Sequence, residues 1–366
     1  MKCPFCSYST TELINISNAF FRHYDFKTVK ECGCIYKCGR CQLLFHVIDK
    51  ITAVEVDNLL RSKEYSLSEQ TNHTLLVENC DRPVTRSFLQ AELLCRFLHS
   101  DQPSILDIGC FDGALLLEFD RRLEIVDLHG FDINQHLRSI FPKKNNMHFW
   151  SSDLGDMENS FDLICMSHSI QYIKDLPDIM KHIKRLIKND GLLFIQVPDI
   201  SKNPFSILLG DQFYYFTPDV LKNILLPFGF ELSLIENNWF PREIVGLATF
   251  TPKKIHNGYF EDSKIYSCVH YLEESTKRLR KLKTTARLGV LGTAVNAAFV
   301  DSVLGEKVVF FADENNYRVN SDFRNKEVLH PRCLDDSDLL IIPYGEASLS
   351  IKKRFENQYR GQFVCL

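Results

Sequence analysis

The chain has 366 residues and a formal net charge of −4 at pH 7, from 43 lysines and arginines against 47 aspartates and glutamates. This length accommodates two or three domains, and the ordinary apolar (45%) and charged (25%) fractions predict globular units with buried cores. The charge gives no general attraction to nucleic acid or membranes, and no apolar run is long enough to span a bilayer, so we expect a cytoplasmic protein without a membrane partner.

The N-terminal segment, residues 1–55, is rich in cysteine, which in the cytoplasm is a thiol or a metal ligand rather than half of a disulfide. Two C-x-x-C pairs have the spacing of a zinc ribbon: Cys3 with Cys6, and Cys38 with Cys41. Cys32 and Cys34 are either free thiols or the true partners of the first pair, and the equal spacing of the two pairs favours free thiols. A segment this short buries little core, so we expect a structural Zn²⁺ to stabilise it.

Two features precede the first strand of a predicted sheet. Tyr65 is either a lid or active-site tyrosine or an aromatic anchor of the linker. The spacing of apolar residues over 85–98 predicts a helix that covers one edge of the sheet.

A glycine turn follows the predicted strand 104–108 and leads into a helix that begins at Ala114. Asp107, Gly109 and Gly113 have the spacing Asp-x-Gly-x-x-x-Gly, in which glycine permits a tight turn and close approach of a ligand. The spacing differs from the G-x-G-x-x-G dinucleotide fingerprint. It resembles the first motif of class I S-adenosylmethionine (SAM) methyltransferases, although a turn without any ligand has the same local signature.

The next predicted strands also end in groups suited to SAM. Asp132 follows the second strand, where a carboxylate accepts hydrogen bonds from both ribose hydroxyls. Asp153 and Leu154 follow the third strand, and an acid there suits the adenine amino group in this family. The fourth strand, 161–166, runs into His168. Since open α/β sheets bind ligands at the carboxyl ends of their strands, we predict a SAM-binding domain over residues 56–252.

The rest of this domain brings aromatic residues towards the same edge. A helix is predicted over 176–187 and a buried strand over 192–197. The stretch 211–216 is rich in tyrosine and phenylalanine, and it precedes a helix capped by Thr217. We expect this aromatic run to lie where an acceptor substrate binds.

A second α/β pattern occupies the C-terminal part of the chain. Residues 253–285 form a predicted bridge with a basic, amphipathic helix around 269–282. Residues 286–366 show a strand, a glycine turn, a helix and two further strands, which predicts a smaller Rossmann-like domain. Its role is either structural or substrate-covering, or it binds a nucleotide.

With these parts in this order, the chain resembles the sugar-nucleotide C-methyltransferase family, whose members carry an N-terminal zinc-binding domain, a central SAM domain and a C-terminal Rossmann-like domain. The family's glycine loop commonly reads Gly-Cys-Asn-Asp-Gly, and here residues 109–113 read Gly-Cys-Phe-Asp-Gly. The resemblance implies SAM as the methyl donor, zinc on the two C-x-x-C pairs, and a nucleotide-linked sugar as the acceptor.

The chain departs from the family at the proposed base. The family's active-site stretch commonly reads Glu-His with a tyrosine close behind, whereas here the matching residues are Asp211, Gln212 and Tyr215. Glutamine cannot accept a proton at neutral pH, so another group serves as base or the reaction is not C-methylation beside a ketone. The C-terminal glycine turn departs as well, with Asn296 where the family tends to have lysine.

Methyl transfer from SAM needs orientation of donor and acceptor, and an alcohol or carbon acid also needs a base. His168 is the first candidate base, because imidazole titrates near neutral pH. The other candidates for catalysis are Tyr215, Asp211 and Tyr65, with Tyr172 and Tyr214 beside them.

We therefore predict a SAM-dependent methyltransferase that acts at carbon or oxygen of a small molecule, most simply a nucleotide-linked sugar or related metabolite. A zinc-ribbon RNA methyltransferase is one alternative, favoured by basic residues at 278–287 and disfavoured by the negative net charge. A SAM-binding protein with a decayed active site is another, which the missing histidine permits.

Overall fold

The computed structural model describes residues 1–66, 74–75, 84–235, 239–251 and 258–366. These residues form two compact units. The first unit comprises Met1–Glu12, Lys37–Pro198 and Phe216–Asp262, and the second comprises Leu13–Tyr36, Asp199–Tyr215 and Ser263–Leu366. The domain boundaries inferred from the sequence stay a prediction, and the start of the predicted bridge, within 252–257, lies outside the described residues.

The strands follow the apolar runs of the sequence. In chain order they are β1 (Thr11–Ile16), β2 (Phe20–Phe21), β3 (Thr28–Lys30), β4 (Gly33–Cys38), β5 (Leu44–Phe45), β6 (Thr74–Leu75), β7 (Val84–Thr85), β8 (Ser104–Ile108), β9 (Asp127–Phe131), β10 (Met147–Trp150), β11 (Phe161–Ser167), β12 (Ile187–Pro198), β13 (Tyr214–Tyr215), β14 (Phe230–Leu234), β15 (Glu243–Phe250), β16 (Arg287–Leu291), β17 (Val308–Ala312), β18 (Asp322–Phe323), β19 (Lys326–Leu329), β20 (Asp338–Ile342) and β21 (Gln362–Cys365).

The α-helices alternate with these strands in the central and C-terminal parts of the chain. They are α1 (Lys50–Leu60), α2 (Lys63–Ser66), α3 (Arg86–Leu94), α4 (Ala114–Asp120), α5 (Leu176–Leu186), α6 (Pro218–Leu225), α7 (Lys264–Lys281), α8 (Val295–Leu304) and α9 (Ser348–Gln358). None of these helices is long and apolar enough to cross a bilayer, a statement that covers the described residues alone.

The first unit is built on a seven-stranded sheet with the order β10-β9-β8-β11-β12-β15-β14. The five strands from β10 to β12 are parallel, and β15 pairs antiparallel with both β12 and β14. This order, with β8 and β11 as neighbours in the middle of the sheet and an antiparallel hairpin at one edge, confirms the predicted class I methyltransferase fold. The central strands β8 and β11 are mostly apolar and mostly buried, as expected for strands covered on both faces.

Helices cover this sheet where the sequence periodicity predicts them. The side chain of Thr85 accepts a hydrogen bond from the backbone N–H of Phe88 and caps α3. Helix α5 buries its apolar stripe and leaves its basic residues outside, and Thr217 caps α6 as predicted. Helix α3 ends at Leu94 rather than at the predicted Leu98. Residues 95–97 form hydrogen-bonded turns instead, and these turns preserve the spacing of apolar residues from which the longer helix was predicted.

The second unit contains the predicted second α/β sheet, with the order β18-β19-β17-β16-β20-β21. Strands β19, β17, β16, β20 and β21 are parallel, and β18 pairs antiparallel with β19. Helix α7 begins at Lys264, five residues before the predicted start, and its buried side chains recur at helical spacing. The strands β2 and β3 form a hairpin in the same unit.

Candidate functional site

The two C-x-x-C pairs come together in the first unit. The Sγ atoms of Cys3 and Cys41 lie 3.7 Å apart, those of Cys6 and Cys38 lie 3.5 Å apart, and all four lie within 4.8 Å of one another. Four thiolates bound tetrahedrally to zinc at about 2.3 Å lie about 3.8 Å from each other. The sulfur positions therefore fit one zinc ion.

The backbone around the two pairs is the same, which explains how they converge. The N–H of Ser7 donates to the carbonyl of Cys3 at 3.0 Å, and the N–H of Gln42 donates to the carbonyl of Cys38 at 3.1 Å. Ser7 and Gln42 each have a positive φ, 57° and 62°. Both pairs thus sit on equivalent tight turns. Cys32 lies outside this cluster and is exposed.

The glycine loop lies at the carboxyl end of β8. Gly109 and Gly113 have φ values of +83° and +79°, a region that favours glycine. A Cβ on Gly109 would lie 2.6 Å from the Cβ of Ser169, so a larger residue could not fit without moving the loop after β11. The N–H of Gly109 donates to the carbonyl of Phe131 at 2.7 Å, which joins this loop to the end of β9.

Asp132 lies directly after β9 and beside the glycine loop. Its carboxylate accepts hydrogen bonds from the backbone N–H groups of Phe111, at 3.2 Å, and Asn134, at 2.9 Å. Burial raises the pKa of Asp132, while these two hydrogen bonds oppose the increase. Tyr65 also reaches this region, since its ring packs edge-on against that of Phe111 with the centroids 5.8 Å apart.

Asp107 lies in the strand immediately before the loop and is buried. Burial, together with the nearby carboxylates of Asp132 and Asp112, raises the pKa of Asp107 to about 7. Its Oδ1 atom makes no hydrogen bond with any described residue, and neither does the buried Oγ of Ser169. Because buried polar atoms in proteins are nearly always paired, these two atoms indicate a polar ligand beside the glycine loop.

Asp153 and Leu154 follow β10. The Asp153 carboxylate accepts a hydrogen bond of 2.7 Å from the N–H of Gly155 and caps a short 3₁₀ turn. Leu154 is buried, and its carbonyl accepts a hydrogen bond from Arg185 at 2.7 Å. The structure therefore places this pair at the carboxyl end of β10, the same edge of the sheet as the glycine loop.

His168 follows β11 and belongs to a polar cluster that the sequence did not reveal. It has a positive φ of 53°, and its backbone N–H donates to the carbonyl of Gln196 at 2.8 Å. Its Nε2 lies 3.0 Å from the Glu243 carboxylate and 3.0 Å from Nη1 of Arg86. Ser169, the next residue, packs on Gly109, so this cluster adjoins the glycine loop.

Glu243 holds the cluster together. One of its carboxylate oxygens accepts hydrogen bonds from Arg86 at 2.6 Å and from Gln196 at 2.5 Å, as well as facing His168. Burial alone raises the pKa of Glu243, but the neighbouring His168 and Arg86 outweigh burial and hold that pKa well below its ordinary value. Glu243 can only accept and Arg86 can only donate, and both face Nε2 of His168. In the tautomer with the proton on Nε2, that nitrogen donates to Glu243 and Nδ1 is left as the proton acceptor.

Asp211 and Tyr215 lie in the second unit. The Asp211 carboxylate is buried and accepts hydrogen bonds from Nδ1 and the backbone N–H of His23, at 2.5 and 2.9 Å. The Tyr215 hydroxyl donates to the carbonyl of Leu209 at 2.9 Å, and burial raises its pKa well above the ordinary value. A buried phenol of high pKa is a poor base at neutral pH, so Tyr215 as a catalytic residue stays a prediction that this geometry disfavours.

A family model matches the part of the chain that contains this site. Residues 84–243 match the family model described as a methyltransferase domain. We refer to these residues, which include most of the sheet with the class I strand order, as the methyltransferase domain. The match includes the glycine loop, the acids after the next two strands, and the cluster of Arg86, His168 and Glu243.

Two curated relatives overlap this domain. Over 133 residues the chain is 30% identical to trans-aconitate 2-methyltransferase of Enterobacter sp. (strain 638), covering 34% of this chain and 50% of that protein. Over 176 residues it is 25% identical to carboxy-S-adenosyl-L-methionine synthase of Nautilia profundicola, covering 42% of this chain and 75% of that protein. The chain therefore spans half the length of the first relative.

Among solved structures, the chain is similar in part to magnesium protoporphyrin IX methyltransferase from Synechocystis PCC 6803 with bound SAH. Its sequence identity to this chain is 14% and the TM-score is 0.41, over 55% of this chain and 100% of that chain.

The methyltransferase domain thus places several predicted residues at one sheet edge: Asp107, Gly109, Gly113, Asp132, Asp153, Leu154 and His168. Tyr65 lies outside this domain and contacts its glycine loop through Phe111. The sequence did not indicate Arg86 or Glu243, because 157 residues separate them and neither lies in a recognisable motif. His23 was missed for the same reason, as 188 residues separate it from Asp211.

A second cluster in the methyltransferase domain has metal-ligand chemistry: Asp127, His129 and His148. The indole N–H of Trp150 donates to Nδ1 of His129 at 3.0 Å, and Nε2 of His129 lies 2.9 Å from the Asp127 carboxylate. Because Nδ1 accepts this bond, Nε2 carries the proton and donates to Asp127. The nitrogen that faces the other two residues is therefore not available to a metal.

Proposed function

We propose that this protein transfers the methyl group of SAM to a small molecule, and that the acceptor is a nucleotide-linked sugar or a related metabolite. The observation that supports this most directly is the buried Asp107 oxygen beside the glycine loop, which makes no hydrogen bond with any described residue, within a methyltransferase domain. The nucleotide-linked sugar rests on the family resemblance, which combines the cysteine cluster, this domain and a second Rossmann-like sheet.

In this proposal SAM supplies an electrophilic methyl group on a positively charged sulfur. Asp107 would hold the ammonium group, since its buried Oδ1 makes no hydrogen bond with any described residue. Asp132 would accept hydrogen bonds from the ribose hydroxyls. Asp153 and Leu154 would border the adenine.

His168 is the residue that we propose as the base. Nδ1 of His168 would take the proton from an acceptor hydroxyl or carbon acid, while Glu243 orients the ring through Nε2. Its strained backbone, with φ of +53°, is consistent with a functional position. Tyr65 would cover the SAM site from the side of the glycine loop, where its ring packs against Phe111. Any catalytic role of Asp211 would be shared with His23, to which its carboxylate is hydrogen-bonded.

A small organic acid is the second candidate acceptor. The relative named trans-aconitate 2-methyltransferase and the guanidinium of Arg86 at the sheet edge both favour it. We also propose that the cysteine cluster holds one structural Zn²⁺ and that the protein works in the cytoplasm.

Isotopic transfer tests the proposal. Full-length protein is incubated with methyl-labelled SAM and either nucleotide-linked keto- and hydroxy-sugars, di- and tricarboxylic acids, or bulk RNA, and products are analysed by mass spectrometry. We expect a labelled sugar or acid, and a His168→Gln variant that binds SAM normally but is at least 100-fold slower on a hydroxyl or carbon acceptor. Labelled RNA, or SAM binding without any product, would contradict the proposal.

The affinity for SAM is expected to depend on pH through Asp107. Its pKa of about 7 means that the carboxyl is largely protonated at pH 6, whereas the ammonium group of SAM prefers the ionised form. Affinity should therefore rise about tenfold per pH unit below pH 7 and level off above it. Calorimetric titration from pH 5.5 to 7.5 measures this, and the Asp107→Asn variant should bind weakly with little pH dependence. An equal slope in both proteins would assign the titration to another group.

A further inference from the structure

We propose that Arg86 binds an oxyanion of the methyl acceptor, a carboxylate or a phosphate, and so selects acidic acceptors. This inference rests on the proposed methyl transfer, because it places the acceptor beside the glycine loop. It adds the chemical class of group that the acceptor must carry. It also assigns a specificity-determining role to a residue that the sequence did not indicate.

The first argument is the position of Arg86. It is the first residue of α3, and its Nη1 lies 3.0 Å from Nε2 of His168. The next residue in that loop, Ser169, packs on Gly109. The guanidinium therefore lies at the carboxyl edge of the parallel strands, which is the edge where sheets of this type bind their ligands.

The second argument is the hydrogen bonding of the guanidinium. Its polar contacts with described residues all involve Nη1, which reaches Glu243 at 2.6 Å and His168. Nε and Nη2 make no hydrogen bond with any described residue, and the side chain is 36% exposed. The N–H groups on Nε and Nη2 of the planar guanidinium therefore remain for a ligand. They can donate two parallel hydrogen bonds to two oxygens of a carboxylate or phosphate.

The third argument is that the fork is held in place before any ligand arrives. The guanidinium lies over the ring of Phe240, 4.9 Å from its centroid, and Glu243 fixes one end of it. Glu243 is itself fixed by Gln196, which is fully buried and accepts a hydrogen bond of 2.8 Å from Gln90. An arginine immobilised in this way loses little side-chain entropy on binding, which favours affinity.

A purely structural ion pair between α3 and β15 is the competing explanation. The variants Arg86→Lys and Arg86→Gln separate the two. Lysine keeps a positive charge for Glu243 but has no planar fork, so a structural role predicts near-normal behaviour for Arg86→Lys, whereas anion recognition predicts a loss. Arg96 forms an exposed ion pair with Glu92, with 3.0 Å between the charged atoms, and Arg96→Gln is the matched control.

The experiment measures binding of three probes to the full-length protein by calorimetry: the tricarboxylate trans-aconitate, the diphosphate UDP-glucose, and neutral glucose. We expect at least one anionic probe to bind, Arg86→Gln to weaken it by about 10- to 100-fold and Arg86→Lys by about 10-fold. Arg96→Gln should bind as the unmodified protein does, and SAM affinity should stay within threefold in every variant. Which anionic probe binds identifies the source of the oxyanion.

Several results would overturn the inference. These are failure of both anionic probes to bind, equal binding by Arg86→Gln, equal loss in Arg96→Gln, or a matching loss of SAM affinity in the Arg86 variants. Because SAM binding and methyl transfer are measured separately, they report on the proposed function itself. Transfer to a neutral acceptor that is unaffected by Arg86→Gln would leave that function standing while removing this inference.

Discussion

Replacement of Cys41 by serine is expected to abolish the binding of one zinc ion per chain. Cys41 is fully buried, and its Sγ lies 3.7 Å from that of Cys3, so a serine there removes one ligand from a closed set of four. Structural zinc in small domains contributes on the order of 10 kcal/mol of apparent binding free energy, which the folded segment needs. We therefore expect the zinc content to fall from about one equivalent to near zero.

Metal analysis and thermal unfolding of the variant, each compared with the unmodified protein, measure this loss. Cys32→Ser is the matched control, because Cys32 is exposed and lies outside the four-sulfur cluster. It should retain both zinc and stability. Zinc that is retained in Cys41→Ser but lost in Cys32→Ser would assign the ligands differently, and absence of zinc from the unmodified protein would remove the site altogether.

The equivalent turns around the two C-x-x-C pairs show which features a sequence specifies by itself. Each turn is closed by hydrogen bonds that reach only four or five residues along the chain, as from Ser7 to Cys3 and from Gln42 to Cys38. The two-residue spacing within each C-x-x-C pair is therefore sufficient to predict the turn on which its sulfur atoms lie. The same holds for the glycine loop, where residues 109–113 determine the turn and the neighbouring strand positions it.

The polar clusters depend instead on the arrangement of the whole sheet. Glu243 begins β15 and pairs in register with Pro198 of β12, and this pairing brings it to Arg86 and His168. No periodicity or spacing in the sequence predicts these contacts of Glu243. His168 could be proposed as a base from its position after a strand, but its partners could not, since they come from distant segments.

Tyr215 is a residue that the sequence predicts to be catalytic and that the structure shows to be buried. An aromatic run before a helix cap suggested side chains presented to a substrate, and the sequence carries no sign of which rings face the core. In the structure Tyr214 and Tyr215 are both almost fully buried, and the Tyr215 hydroxyl donates a hydrogen bond to a backbone carbonyl. Aromatic residues bury large areas, so a run of them reports packing as readily as a binding site.

Replacement of Asp132 by alanine is expected to reduce the affinity for SAM by roughly 100- to 10,000-fold. The carboxylate would accept two hydrogen bonds from the ribose hydroxyls, and hydrogen bonds to a charged group contribute about 1.5–3 kcal/mol each. The substitution also removes the acceptor of the Phe111 and Asn134 N–H groups, so the loop that faces the ligand loses one of its attachments to the end of β9. Asp132→Asn keeps one carbonyl acceptor and should lose less.

Equilibrium titration with SAM, together with circular dichroism to establish that the variant is folded, measures the effect. Asp127→Ala is the matched control, because Asp127 lies on the same strand but at its opposite end, where its partners are Ser104 and the two histidines. It should bind SAM within about threefold of the unmodified protein. A folded Asp132→Ala that also binds within threefold would place the ribose elsewhere, and the acid after the second strand would then serve only to hold the glycine loop.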